Sequence, residues 1–358
     1  MSMDRRHLLM ASSAFAAAMA AGSRIAGAQE LRKLKFGVGL KAMGPAVINC
    51  VIGEILGYNK QEGFTLQVAP LGTNANVQIA IDKGDVDIGI GVPSFGLPLL
   101  AKGEWQGALN YYQYTYPYKW DVVVGPDSPI KSYKDLKGKT VGVSDFGGTE
   151  YPVTKRVLKS LGIDPETEVK WIPVGNGIQA GVALQRGAID ALAYYDTGFG
   201  QIEAANIPLR FLARPENLPM IGGQFLTAKR EFIEKERKLA IGLARSVAKA
   251  SVFLDASAEA GARAFLKMYP ETAPRGADQV EAIKSIVSAT ARRIKLYAPP
   301  YAGFKMGQIN EKEFTTEAEL NGLTGLGDLK RFYTNDLIAE INAFDAAKIA
   351  AEAKSYTG

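Results

Sequence analysis

One stretch of this chain occurs twice, and that repeat limits what the chain can fold into. Residues 66–91 read LQVAPLGTNANVQIAIDKGDVDIGIG, and residues 169–194 read VKWIPVGNGIQAGVALQRGAIDALAY. Aligned without a gap at an offset of 103, they share Pro70/Pro173, Gly72/Gly175, Ala80/Ala183, Gly84/Gly187 and Asp87/Asp190. Leu71 also pairs with Val174, Ile79 with Val182, Ile81 with Leu184 and Val86 with Ile189. Each copy reads strand, Gly turn, helix, Gly turn, strand. Upstream of each, a further strand runs into a Gly-rich loop, at residues 34–45 and 139–149. Two such α/β units predict two lobes, and a cleft between lobes is where small ligands bind.

The rest of the chain is read around this pair. Strands and helices alternate from Leu34 to Phe211, which predicts α/β lobes whose sheets are mainly parallel and flanked by helices. The expected division is 29–117 for the first part of lobe 1, 118–219 for lobe 2, and 220–358 for the return to lobe 1 plus C-terminal helices. The first crossing is expected in the stretch from Leu109–Tyr116 to Asp121–Val124 and the second near Leu218–Gln224, marked by Pro219 and Gly222-Gly223. Helices are predicted over Ala46–Gly57, Lys229–Tyr269, Gln279–Arg293, Lys312–Leu320 and Leu329–Phe344, with the C-terminal ones wrapping back onto lobe 1. Asp87 and Asp190 open strands after Gly turns and are read as structural.

Residues 1–28 read as an export signal. Arg5-Arg6 precedes an apolar run, and Ala26-Gly27-Ala28 is a small-residue cleavage site. The paired arginines suggest the twin-arginine route, with Sec export the alternative. The expectation is a periplasmic protein beginning near Gln29, without a permanent membrane anchor. Lys and Arg number 42 against 37 Asp and Glu, spread along the chain without a basic block, which argues against nucleic acid.

Counting narrows the chemistry further. His7 is the only histidine and lies in the leader, and Cys50 is the only cysteine. Without histidine, neither a Ser-His-Asp mechanism nor the usual zinc site can be built. Cys50 sits in an apolar segment and reads as a core residue. No catalytic residue, metal site or cofactor is expected.

At this point the motifs resemble a known family. Residues 57–64 (GYNKQEGF), 80–89 (AIDKGDVDIG), 128–144 (SPIKSYKDLKGKTVGVS) and 183–191 (ALQRGAIDA) resemble, in that order, substrate-binding proteins of ABC importers of the nitrate/sulfonate/taurine class, related to thiamine-pyrimidine-precursor proteins. Residues 332–338 (FYTNDLI) and Phe344-Asp345 continue the likeness. The resemblance implies a periplasmic-binding-protein clamp of the type II-like form, monomeric, which closes on a solute and presents it to an ABC permease and its ATPase. A sensory module and a pyrimidine-precursor enzyme on the same scaffold are the alternatives.

Candidate ligand contacts come from the loops that feed helix N-termini, where free backbone N–H groups collect. They are Lys41, Met43, Thr73, Asn74 and Ser94 in the first lobe, and Gly148, Thr149, Asn176, Tyr195 and Asp196 in the second. Lys41 would pair with a carboxylate or sulfonate, and Asp196 would accept from a ligand N–H group. Thr73 and Asn74 also suit helix capping. The segment Tyr111–Trp120 holds five tyrosines and a tryptophan. Alternation places about half of them in the sheet and leaves Tyr114 and Tyr116 to face a planar or apolar ligand. The expected solute is a small organic anion, with an aromatic body allowed.

Overall fold

A computed structural model describes residues 30–358, and Lys33–Gly358 forms one compact unit. Residues 1–28, read above as an export signal, lie outside the described residues. Among the described residues, no helix is long and apolar enough to cross a membrane.

The first sheet is built from β1 (Arg32–Val38), β2 (Phe64–Pro70), β3 (Ile88–Gly91), β4 (Ala108–Thr115) and a late strand, Gln224–Lys229, in the order β2-β1-β3-late-β4. The second contains β5 (Trp120–Val124), β6 (Thr140–Val143), β7 (Lys170–Pro173), β8 (Ala191–Tyr195) and β9 (Arg210–Phe211), in the order β7-β6-β8-β5-β9. The late strand is β10. Both sheets are mixed. β1 runs parallel to β3, and β6 runs parallel to β7 and β8. β10 and β5 are antiparallel to their neighbours on both sides. The two orders superpose strand for strand, so β10 takes in the first sheet the place that β5 takes in the second.

The repeated residues do the same work in each copy. Lys35 N–H donates to Asp87 Oδ2 at 2.8 Å, and Thr140 N–H donates to Asp190 Oδ2 at 2.7 Å. Each carboxylate therefore satisfies a backbone donor on a neighbouring strand. Gly84 closes a helix in the left-handed region at φ 79°, and Gly187 follows the equivalent helix at φ 69°, where a Cβ would be strained. The helices between are α3 (Asn74–Lys83) and its counterpart Ile178–Gln185. Apolar clusters cover both faces of each sheet. Phe36, Ile88 and Leu226 lie on one side of the first sheet and Val77, Phe225 and Phe314 on the other. Val122 and Val143 lie on one side of the second, with Val123 and Leu192 on the other.

Three helix expectations need correction. Residues 46–57 hold only part of a 3-10 turn, α1 (Ile48–Val51) and a run of turns, and Gly57 at φ 77° separates these from α2 (Tyr58–Gln61). Lys229–Tyr269 is three helices, Arg230–Lys235, Arg237–Ala256 and Ala258–Met268, the last capped by the Ser257 side chain. Leu329–Phe344 holds only a 3-10 turn and the four-residue helix Ile338–Ile341. There Asn335 exchanges side-chain hydrogen bonds with the Ile309 backbone, and Thr334 Oγ1 accepts from Asp336 N–H. Such bonds offer the backbone an alternative to helix.

The C-terminal helices do not stay on lobe 1. Gln279–Ile294 packs against Asp196–Ala204 of the second lobe and also against the Pro45–Val47 turn of the first. Glycine makes the approach possible. A Cβ on Gly200 would meet Ala289 Cα at 2.5 Å and Ser288 O at 2.8 Å, both backbone atoms that cannot swing aside. Gly200→Ala should therefore force the helices apart and cost about 1–3 kcal/mol, measured by urea denaturation.

Candidate ligand-binding site between the lobes

The chain passes between the sheets twice, from β4 to β5 and from β9 to β10, and these crossings lie side by side. Trp120 Nε1 donates to Gly222 O at 2.9 Å, and Lys119 Nζ donates to Gln224 Oε1, which also accepts from Tyr114 OH. In front of the crossings is an inner cavity of about 60 Å³. The first lobe lines it with Thr73, Asn74 and Tyr114, and the second with Ser144, Gly148, Thr149, Asn176 and Tyr195. A second, outer compartment of about 410 Å³ lies beside it and is lined by residues 40–46 together with Gly175 and Gln179. Leu40, Ala46, Asn176 and Tyr195 border both spaces.

The lobes touch across the cleft. Asn74 Nδ2 donates to Thr149 Oγ1 at 2.8 Å, and Lys41 Nζ lies 3.8 Å from Asp145 Oδ2. The Lys41 pair is exposed, so it contributes little to stability. Thr73 caps the N-terminus of α3 by accepting from Asn76 N–H at 3.2 Å, while a Cβ on Gly147 would press on Thr73 from the other lobe. Capping and cleft lining thus coincide at one residue.

Of the sequence-selected residues, Thr73, Asn74, Tyr114, Gly148, Thr149, Asn176 and Tyr195 come together around the inner cavity, with Lys41 and Met43 in the outer compartment. Three lie elsewhere. Asp196 is buried behind the cavity wall, and Arg293 Nε and Nη2 donate to its two oxygens at 2.7 and 2.5 Å. Tyr116 donates its hydroxyl to Gln308 O at 2.9 Å and packs edge-on against Tyr301. Ser94 donates to Glu317 Oε1 at 2.5 Å. Each is consumed by an internal partner that lies far away in sequence.

Sequence reading missed Lys119, Glu150, Gln224 and Arg293, all of which line the cavity. Lys119 had a signal, because a lysine inside the aromatic run Tyr111–Trp120 has few routes to solvent. It is 5% exposed. Desolvation holds its ammonium well below the usual lysine range, with Arg293 adding to the effect and Asp196 opposing it. Glu150 is 2% exposed, and its Oε1 accepts from both the Ser144 N–H and hydroxyl. Burial raises its pKa and those hydrogen bonds moderate the rise.

Arg293 joins three parts of the chain. It is fully buried, pairs with Asp196 of the second lobe and donates Nη1 to Ala46 O of the first. Burial opposes its charge, but the field and hydrogen bonds of Asp196 outweigh that and keep the guanidinium charged. Arg293→Ala leaves a buried carboxylate without its cation, and a loss of about 3–5 kcal/mol in denaturation experiments is expected.

Behind the crossings sits a second buried polar group. Glu317, in the helix Glu311–Leu320, lies 3.4 Å from Arg156 Nε of the second lobe. Its neighbour Glu313 accepts from Gln113 Nε2 and, at 2.8 Å, from Tyr301 OH. Burial pushes the Glu313 carboxyl up to about 8, the hydrogen bonds from Tyr301 and Gln113 pull it down, and Glu317 raises it. The folded state therefore binds this proton more tightly than the unfolded chain does. The stability it contributes is full at acid pH and is lost as pH rises through about 8. The stability of Glu313→Gln relative to the parent should accordingly increase from the ordinary carboxylate range up to that pH. A pH-independent difference in urea midpoints would contradict this.

The fold and cleft define a two-lobe α/β clamp. The chain belongs to the family described as NMT1/THI5 like, which matches residues 45–257. Solved structures share the fold. A protein of Bordetella bronchiseptica RB50 is 21% identical, covering 87% of this chain and 98% of its own, with a TM-score of 0.67. The alkanesulfonate-binding protein SsuA of Xanthomonas axonopodis pv. citri, bound to MOPS, is 17% identical over 87% of this chain and 98% of its own, at a TM-score of 0.59. The periplasmic nitrate-binding protein NrtA of Synechocystis PCC 6803 is 13% identical over 92% and 99%, at 0.61. The fold also serves catalysis: the desulfurization enzyme DSZB is 13% identical over 87% and 98%, at 0.54. Among curated sequences, an ATP phosphoribosyltransferase of Thermodesulfovibrio yellowstonii is 33% identical over 99 residues, 26% of this chain. The chain spans only 31% of that relative's length.

Proposed function

We propose that this protein is a periplasmic solute-binding protein that captures a small organic anion between its lobes and delivers it to an ABC importer. The carrying observation is a cavity lined from both lobes, in front of two adjacent crossings. A ligand that touches both lobes stabilises closure, because it interacts differently with the open and closed forms. Thr73, Asn74, Tyr114, Gly148, Thr149, Asn176 and Tyr195 contact the solute in this reading, with Lys41 and Met43 over its outer part. The outer compartment supports an organic body over a bare inorganic anion, and Tyr195, bordering both spaces, suits a flat or apolar group.

Binding without catalysis is supported by the absence of histidine after residue 7, since the usual hydrolytic triads have no base to draw on. The periplasmic setting rests on the leader's composition and on the relatives named above. The protein works as a monomer in this reading, with the permease and its ATPase as partners.

A thermal-shift screen against sulfonates, aliphatic and aromatic carboxylates, nitrate and pyrimidines tests the proposal. A true ligand at about a hundred times its Kd adds roughly 2.7 kcal/mol to the folded state, a shift of several degrees. A panel-wide absence of any shift would count against solute capture.

A further inference from the structure

Lys119 is the unusual group in the cleft. Its ammonium carries three donors. Among the described residues its hydrogen-bond partner is Gln224 Oε1, and no carboxylate lies within ion-pair distance. Its Nζ also lies over ring faces, 4.5 Å from the Trp120 centroid and 5.9 Å from that of Tyr114. The other cation at the cavity, Arg293, is neutralised by Asp196. Burial disfavours its ammonium form, Asp196 and Glu150 favour it only from beyond ion-pair distance, and an anion in the cavity would supply the missing charge.

Gln224 extends the set of donors. Its Oε1 accepts from both Tyr114 OH and Lys119 Nζ, which fixes the amide orientation and leaves Nε2 as a donor without a partner among the described residues. The Thr149 hydroxyl accepts from Asn74 and keeps its own hydrogen to give. Lys119, Gln224 and Thr149 thus border one small cavity with unused donors. Glu150 borders the same cavity, already accepting from Ser144. The local excess of positive charge is therefore at most one: Lys119 alone when Glu150 is protonated, and zero when it is ionised.

We propose that Lys119 is the residue that selects the ligand's head group, pairing with a singly charged oxyanion in the inner cavity while the ligand's body lies in the outer compartment. This rests on the solute-binding reading and adds to it a residue and a charge rule. A cavity of about 60 Å³ takes a few waters or one compact head group. A doubly charged head would meet Glu150 with one cation to balance it, so phosphonates are rejected and carboxylates or sulfonates accepted.

The test uses matched bodies with different heads: benzenesulfonate, benzoate, benzamide and phenylphosphonate, and the corresponding propyl series, above neutral pH where the phosphonates carry two charges. Binding to the purified protein is followed by calorimetry and by Trp fluorescence, Trp120 being in contact with Lys119. The parent should prefer the monoanions to the amides and phosphonates. Lys119→Met should weaken monoanion binding roughly 30-fold or more and erase that preference, and Lys119→Arg should keep it.

Thermal stability of the free protein separates this from a structural role. Lys119→Met removes a buried amine whose charged form burial disfavours and should raise Tm, whereas a lysine needed for folding would give a lower Tm. A lower Tm for Lys119→Met, or a monoanion preference that survives the substitution, would overturn the head-group role. If the parent binds amides or phosphonates as well as monoanions, this inference fails while solute capture stands. If the parent binds none of the probes, both fail.

Discussion

The Arg293–Asp196 pair sits where the protein's parts meet. One guanidinium from a C-terminal helix holds a carboxylate at the start of a second-lobe helix and the Ala46 carbonyl of a first-lobe turn. Because both charged groups are buried, neither is readily replaced by water. The C-terminal helix is thereby bound to both lobes, and the Gly200 contact lets it approach closely enough to make the pair. The cavity wall depends on this junction, since Arg293 lines the space that Asp196 lies behind.

Two kinds of buried charge bracket the crossings. In front lie Lys119 and Glu150, bordering a cavity and incompletely satisfied by the protein. Behind lie Arg156, Glu313 and Glu317, which join the second lobe to the C-terminal helix and to Ser94 without reaching the cleft. The rear group holds neighbouring elements together. The front group is arranged as a binding site is, with donors converging on a space that lacks their partners.

The aromatic run Tyr111–Trp120 shows how far pattern reading reaches. Alternation does not sort this run: Tyr111, Tyr112 and Tyr114 all lie in β4, every residue of which is buried, and all three pack in the first-lobe core. Tyr114 lines the cavity as expected, but Tyr116 does not, since its hydroxyl is taken by Gln308, 192 residues away. Ser94 and Asp196 were drawn from the cleft for the same reason, each held by a C-terminal residue whose position no local signal reveals. Conversely, Lys119 and Gln224 became neighbours only because the two crossings run side by side.

The sequence alone determined the two α/β units, their equivalence and the place of the cleft. Period-two strands, Gly turns and a gapless repeat are local properties, and they account for the matching strand–helix–strand units, while the late strand β10 that completes the first sheet is placed by the long-range crossing. It also limited the chemistry, because the single histidine, His7, leaves none after residue 7 to serve as a catalytic base. The tertiary structure decided which polar residues face the cleft and which are spent on internal partners. That choice depends on contacts spanning about a hundred to two hundred residues, between charges whose burial exists only once both lobes and the C-terminal helices have packed together.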